Sequence, residues 1–521
     1  MSNFCFSNRI RLLQGYRFHL FIISALISTV LLLSSCVRKP ELPDYWPTKE
    51  WRTATPESQG MDSNTLAEAV TVIKNKQLPV HSLFIARRGY VVLDEYFYPF
   101  SDGLRHDVAS VTKSITATLV GMALEEGHIQ DLKTPALSIF EERKVANMDA
   151  RKQQMTVAHL LSMTSGLECG YRPGERELFE MRETTDWIQF SLDLSMRHAP
   201  GTEFAYCSSG MHLLSGIITR ATGETLEAYA ASRLFQPLGI KDWYWPADPA
   251  GNSDGWGDLQ LHPRDMAKIG LLYLYQGQWE GRQIISSDWI KQATRPQIDT
   301  ATKGVSYGYG WWLVEFAGMS LIEAQGRGGQ LIVIWPEKEI VVVLTAGGLQ
   351  TADELAGYLA RAVRSDKSIA ENPQAMTRLK EISAVLKLPL SPQPVAKLPA
   401  MSAQISGHWY QLEPNQLGLE AMRFEVNGQE MALGIMIGGQ QYLFPVGLDG
   451  VYRISNQTPS KLPAGVRGEW TSEDTFVLEY DEIGRVNDFT FTIQFSGNSI
   501  HASVTEPTGL YQLALTGELI D

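Results

Sequence analysis

The chain is 521 residues long, more than one hydrophobic core usually holds, so two domains with terminal segments are expected. With 44% hydrophobic and 20% charged residues, the composition is that of an ordinary globular protein and argues against extensive disorder. A formal net charge of −13, with no basic block in the body, argues against nucleic acid as a partner.

Arg9, Arg11 and Arg17 precede an apolar run from Phe18 to Leu33, and Ser34-Ser35-Cys36 follows. That is the layout of an export signal. The run is shorter than the roughly 20 residues of a membrane span, and it contains His19. Leu33-Ser34-Ser35-Cys36 resembles the lipobox of bacterial lipoproteins. The resemblance implies cleavage before Cys36, lipid attachment at Cys36, and an exported chain anchored to a membrane, facing the periplasm or cell surface. Losing residues 1–35 removes three arginines and no acid, which takes the charge from −13 to −13 − 3 = −16. Cys169 and Cys207 would then remain as free or paired thiols in a compartment that permits disulfides, and their pairing stays open.

Residues 36–59, rich in Pro, Thr and Trp from Pro40 on, read as a tether. Met61 to Lys74 has helical spacing, with Leu66, Ala69, Val70 and Ile73 on one stripe. Leu83–Ala86 and Tyr90–Leu93 flank Gly89 as a hairpin. In Asp107-Val108-Ala109-Ser110-Val111-Thr112-Lys113 a helix opens: Ile115, Leu119, Met122 and Ala123 recur at its period, and Glu125-Glu126-Gly127 stops it. Thr156 caps a short helix to Met163. Further helices are expected over Met211–Thr222, over Asp265–Leu274 and from Trp289. The period then changes, and Tyr307–Leu313, Leu331–Trp335 and Ile340–Thr345 read as strands before a helix over Ala352–Arg364. Strands at both ends with helices between predict an α/β or α+β layer structure over residues 60–368, one sheet assembled from distant pieces. Residues 369–400 hold a helix and a proline-rich linker. Beyond them, Asn427-Gly428 marks a hairpin, and strands on either side of Gly484 complete a small antiparallel β domain over 401–521, barrel- or sandwich-like.

The chemistry starts at Ser110. Positions three apart share a helix face, so Ser110 and Lys113 point the same way at a helix N-terminus, where backbone N–H groups favour negative charge. An amine whose pKa is lowered by burial can take a serine proton. No other serine in the chain has a lysine three residues later. Tyr206-x-Ser208 lies about a hundred residues on, and Gly326-Arg327-Gly328-Gly329-Gln330 precedes a late strand. Together these pieces resemble the serine β-lactamase-like hydrolases: class C β-lactamases, penicillin-binding peptidases, family VIII esterases and 6-aminohexanoate-dimer hydrolases. Pro200-Gly201-Thr202, Pro263-Arg264-Asp265 and Tyr307-Gly308-Tyr309-Gly310-Trp311 also look familial, and the resemblance covers roughly residues 55–365.

The resemblance implies a β-lactamase/transpeptidase-like fold, with Ser110 as the acylated nucleophile and Lys113 and Tyr206 sharing the proton transfers. It implies an oxyanion site from the backbone N–H groups of Ser110 and Gln330, with Gly328 and Gly329 letting the strand edge approach the substrate. Two departures stand out. Tyr-x-Asn has become Tyr-x-Ser, so Ser208 keeps a polar group but no amide. Lys-Thr-Gly has become Arg327-Gly328-Gly329, where Arg327 can hold a carboxylate but cannot exchange a proton. Both point to cleavage of a small ester or amide. A β-lactamase or D-Ala-D-Ala peptidase, and a catalytically silent binding protein, are the alternatives. Cys207 reads as a structural thiol and His159 and His212 as packing residues. No metal or other cofactor is expected. The tryptophans from Trp243 to Trp256 read either as core or as pocket rim.

Overall fold

The computed structural model describes residues 41–172 and 175–520. The export signal and Cys36 lie outside the described residues.

Near-continuous apolar runs, buried on both faces, build the middle of the central sheet. Its strands are β1 (Val80–Arg87), β2 (Tyr90–Tyr96), β3 (Ile298–Asp299), β4 (Val305–Tyr307), β5 (Trp312–Phe316), β6 (Met319–Gly326), β7 (Gln330–Trp335) and β8 (Ile340–Ala346). They run in the order β2-β1-β8-β7-β6-β5-β4-β3. The antiparallel register Leu83↔Leu344 joins the early hairpin to the last strand. Successive side chains face opposite sides. Phe84, Ala86, Ile332 and Val343 therefore enter one core, and Leu83, Ile85, Val333 and Leu344 another. Six helices of ten residues or more cover the two faces: α1 (Ser63–Asn75), α2 (Val111–Glu125), α3 (Ser208–Thr222), α4 (Pro263–Leu274), α5 (Asp353–Ala362) and α6 (Pro373–Leu386). Those of α2, α3 and α4 pack in the first core, through residues such as Ile115, Leu213 and Ile269. Leu66, Leu359 and Leu379 of α1, α5 and α6 pack in the second.

The helix α2 is buried on every side from Val111 to Ala123, more than its single apolar stripe predicts. Small residues make the room. A β-carbon on Gly121 would lie 2.2 Å from the Trp289 ring, and one on Gly310 2.6 Å from Ala117. Gly310 also explains why Tyr307–Leu313 is not one strand. Its φ of 76° and the Gly308 N–H bond to Trp311 O at 2.8 Å make a turn between β4 and β5 that seats against α2. The expected tether also differs. From residue 42 the chain packs on the sheet domain, with Trp46 against Tyr275 and Trp279 and Trp51 against Phe84.

After α6, residues 387–399 carry no regular structure, and a ten-stranded antiparallel sheet follows. Its strands are β9 (Trp409–Leu412), β10 (Leu419–Asn427), β11 (Glu430–Ile437), β12 (Gln440–Val446), β13 (Arg453–Ser455), β14 (Ala464–Trp470), β15 (Thr475–Glu482), β16 (Asp488–Ser496), β17 (Ser499–Thr505) and β18 (Gln512–Ile520). The order β12-β11-β10-β9-β18-β17-β16-β15-β14-β13 curls until Gly447, just past β12, bonds to Val466 of β14 at 3.1 Å. A nearly closed barrel results, around its own core of residues such as Phe424, Phe444 and Phe476.

Candidate active site

Ser110 is the N-cap of α2 and follows Ala109, whose φ of 46° is left-handed. For a residue with a β-carbon that conformation costs about 1–2 kcal/mol. Two hydrogen bonds hold it: Asp107 Oδ1 accepts the Ala109 N–H at 2.8 Å, and the Val108 N–H donates to Leu259 O at 2.9 Å. The Ser110 N–H has no partner among the described residues, as the first turn of a helix leaves it.

Lys113, one turn along, is 1% exposed. Its Nζ donates to Ser110 Oγ at 2.7 Å and to Trp256 O at 2.9 Å. It also stands 4.7 Å from the centre of the Tyr206 ring. Burial lowers its pKa to about 8, against the opposing pull of Glu175 and Asp258. Tyr206 precedes α3 and stacks on Trp312, with ring centres 5.8 Å apart. Burial and then Glu175 push the phenol's pKa up, and its hydrogen bond with Ser110 acts the other way. The Ser110 hydroxyl and the Lys113 amine, one helical turn apart, thus meet the phenol of Tyr206 from a distant part of the chain at the start of one buried helix.

The next residue, Cys207, forms a disulfide with Cys169, which closes the question of their pairing. The bridge and Gly170 clasp the backbone of Tyr206; a β-carbon on Gly170 would sit 2.1 Å from Tyr206 O. Ser208 does not present its hydroxyl to the cleft. Its N–H and Oγ both donate to the Glu175 carboxylate, each at 2.8 Å, and so fix that side chain on the cleft wall. The two histidines also have specific partners: His159 Nδ1 accepts the Thr156 N–H in a capping box, and buried His212 bonds Asp248 at 3.1 Å.

The β6–β7 hairpin departs from expectation. Gln330 is fully buried, and its side-chain amide donates to Ala346 O at 2.5 Å and Arg327 O at 3.2 Å, away from Ser110. Gly328 and Gly329 face Val486 and Leu349 rather than the cleft. The part that reaches the cleft is Gln325-Gly326-Arg327. A β-carbon on Gly326 would lie 2.6 Å from Val108 O, so this strand end abuts the turn that carries Ser110. The Arg327 N–H, one residue past the ladder, has no partner among the described residues. The Arg327 side chain bonds Thr508 Oγ1 at 2.7 Å. Reading Gln330 as the second donor placed the site three residues too late along the turn.

The cleft around Ser110 has a volume of about 760 Å³. Trp256 lines it, whereas Trp243 and Trp245 pack on Phe235. Glu175, Asp258 and Trp312 also line it and went unrecognised as site residues, since no local pattern marks them.

A family model described as Beta-lactamase matches residues 58–364, more than half of the chain. The chain belongs to that family. Within the β-lactamase family it is 26% identical, over 50% of this chain and 71% of the relative, to 6-aminohexanoate-dimer hydrolase of Paenarthrobacter ureafaciens. It is 28% identical to Esterase EstB of Burkholderia gladioli, over 39% of this chain and 54% of that one. The solved structure of EstCE1, a hydrolase with promiscuous acyltransferase activity, superposes with a TM-score of 0.50 at 16% identity. It covers 58% of this chain and 99% of that one, a likeness of fold. Like its β-lactamase-family relatives, the protein is a serine hydrolase.

Proposed function

We propose that the protein cleaves a small ester or amide through an acyl-Ser110 intermediate, with Lys113 as the base. The observation that carries this is the 2.7 Å contact between a buried Lys113 Nζ and Ser110 Oγ. Of the two candidate bases, burial moves the amine toward its neutral form and the phenol away from ionisation. Neutral Lys113 takes the serine proton as Oγ attacks the carbonyl carbon. The oxyanion forms opposite the unpartnered N–H groups of Ser110 and Arg327. Tyr206 stays protonated, donates to the reacting oxygen and passes the Lys113 proton to the leaving group. Water then attacks the acyl carbon and gives a proton to Lys113, which returns it to Ser110 Oγ as that oxygen leaves, restoring the hydroxyl and the neutral amine. A β-lactamase or D-Ala-D-Ala peptidase fits less well, because the strand end that reaches the cleft, Gln325-Gly326-Arg327, carries no threonine hydroxyl.

A fluorophosphonate probe tests the assignment. It should label the wild type at Ser110 and leave Ser110→Ala unlabelled. A folded wild type that resists the probe would instead be a silent binding protein. Export and lipidation at Cys36 are proposed from the sequence pattern alone; fatty-acid labelling that persists in Cys36→Ala would rule the attachment out.

A further inference from the structure

The face of the central sheet turned away from Ser110 is incompletely covered. On it, Val314 and Phe316 of β5, Leu331 of β7 and Leu355 of α5 pack against the second core yet stay only partly buried. Between these strands and α5 lies an apolar groove of about 650 Å³. It follows β6 along its length, and Leu321, Val333 and Leu344 form part of its wall. From Met319 to Gly326 that strand spans roughly 24 Å at ordinary strand spacing, so the groove admits an extended chain.

One acid stands inside this apolar wall. Glu323 is placed on the groove face by the alternation of β6, and it is 9% exposed. Its one hydrogen bond among the described residues comes from Gln325 Nε2 at 2.6 Å, and no lysine, arginine or histidine among them pairs with it. Burial raises its pKa, the Gln325 bond opposes that, and Asp353 at the start of α5 adds to it. Asp353 and Arg327 are the other charged groups on the groove wall, and Tyr358 also titrates there. Arg327 is engaged with the barrel through its 2.7 Å bond to Thr508 Oγ1. A carboxylate has about four acceptor sites, so most of the capacity of Glu323 is unused. A buried carboxylate is costly until a cation meets it. An ammonium group supplies three donors and the opposite charge, and an aliphatic chain behind it covers the apolar wall.

We propose that this groove is a second ligand site, which takes a primary aliphatic amine with its ammonium group on Glu323 and its chain along β6 toward Met319. Four steps of strand separate those two residues, about 13 Å, which suits an n-octyl chain. The inference goes beyond the acyl-Ser110 reading and does not depend on it, because the site lies across the sheet from the nucleophile. The two cavities meet only at Trp312 and the strand end Gln325-Gly326-Arg327, so Gln325 bonds the ligand's anchor and also borders the catalytic cleft.

Titration calorimetry with n-octylamine and n-octanol tests the site in wild type, Glu323→Gln and Glu175→Gln. Glu323→Gln keeps the shape of the side chain and removes a buried charge, so the fold is retained. Octylamine should bind wild type at pH 8 and bind Glu323→Gln about 10- to 100-fold more weakly, the range of a charge-assisted hydrogen bond. Its affinity for Glu175→Gln, altered in the catalytic cleft, should match wild type. Octanol should bind more weakly than the amine, and equally to wild type and Glu323→Gln. An alkylammonium group, like that of lysine, titrates near 10.4, so the probe stays charged below pH 8. Protonating Glu323 therefore sets the pH dependence: wild-type affinity for octylamine should fall from pH 8 to pH 5, and Glu323→Gln should lack that fall. Equal octylamine affinity in wild type and Glu323→Gln would overturn the assignment. So would a loss confined to Glu175→Gln, which puts the amine in the catalytic cleft, or octanol binding as tightly as the amine, which leaves the groove indifferent to charge. No binding of octylamine to wild type at millimolar concentration sinks the site outright.

Discussion

Replacing Lys113 with methionine removes the ionisable group and keeps an unbranched chain of similar length. In the wild type, burial pushes the amine from 10.5 to about 8. Between those values the unfolded chain binds the proton that the folded chain has released, so stability climbs as pH rises from about 8 to 10.5. Below pH 8 both states are protonated, and the folded state carries a constant penalty. At about 1.4 kcal/mol per pH unit, the gap corresponds to about 3 kcal/mol. The hydrogen bonds to Ser110 Oγ and Trp256 O are lost in Lys113→Met and shift the comparison by a constant, without changing its pH dependence. The stability of the variant relative to wild type should therefore fall by about 3 kcal/mol between pH 7 and 10.5. Urea denaturation followed by tryptophan fluorescence at several pH values measures it, and other titrating groups cancel in the difference. The wild-type kcat/KM should rise over the same region, with a midpoint near the amine's pKa of about 8. A difference in stability that is flat with pH would refute a desolvated Lys113, and with it the choice of base.

Tyr206→Phe keeps the stacking on Trp312 and removes the hydroxyl; kcat should fall about 10²- to 10⁴-fold with KM little changed, as read by steady-state ester hydrolysis. Gly326→Ala places a β-carbon 2.6 Å from Val108 O, so the hairpin must retreat from the Ser110 turn. Stability should drop by about 1–3 kcal/mol, and phosphonate labelling should slow far more than that loss explains. Removing the disulfide by Cys169→Ser with Cys207→Ser frees a loop of 38 residues. A stability loss of about 2–4 kcal/mol is expected by thermal denaturation, together with lower kcat from a looser Tyr206.

The sequence exposed what is local and left hidden what is assembled. Ser110 and Lys113 were legible because helical geometry fixes a three-residue spacing without help from the rest of the chain. The barrel was legible because Phe491, Ile493 and Phe495 alternate with polar residues. Gln330 misled because the hairpin's tight turn, with Gly328 and Gly329 at φ of 78° and 97°, sends the chain away from the cleft before that residue is reached. Glu175 was invisible: it arrives through two hydrogen bonds from Ser208, across 33 positions of sequence. The short prolyl and tryptophan stretch before α1 looked loose because it has no period, yet Trp46 and Trp51 dock singly and need none.

The barrel keeps its hydrophobic centre apart from the two cores that flank the large sheet. Substitutions at the β15–β16 tip therefore spare the hydrophobic cores, except that Gly484 and Val486 seat against the Ser110 turn and Gly328 and are not free to change. Selection can then redraw the boundary facing the substrate while the reaction machinery stays put. Residues such as Arg485 and Asn487 can thus change the cleft wall without entering any of the three cores.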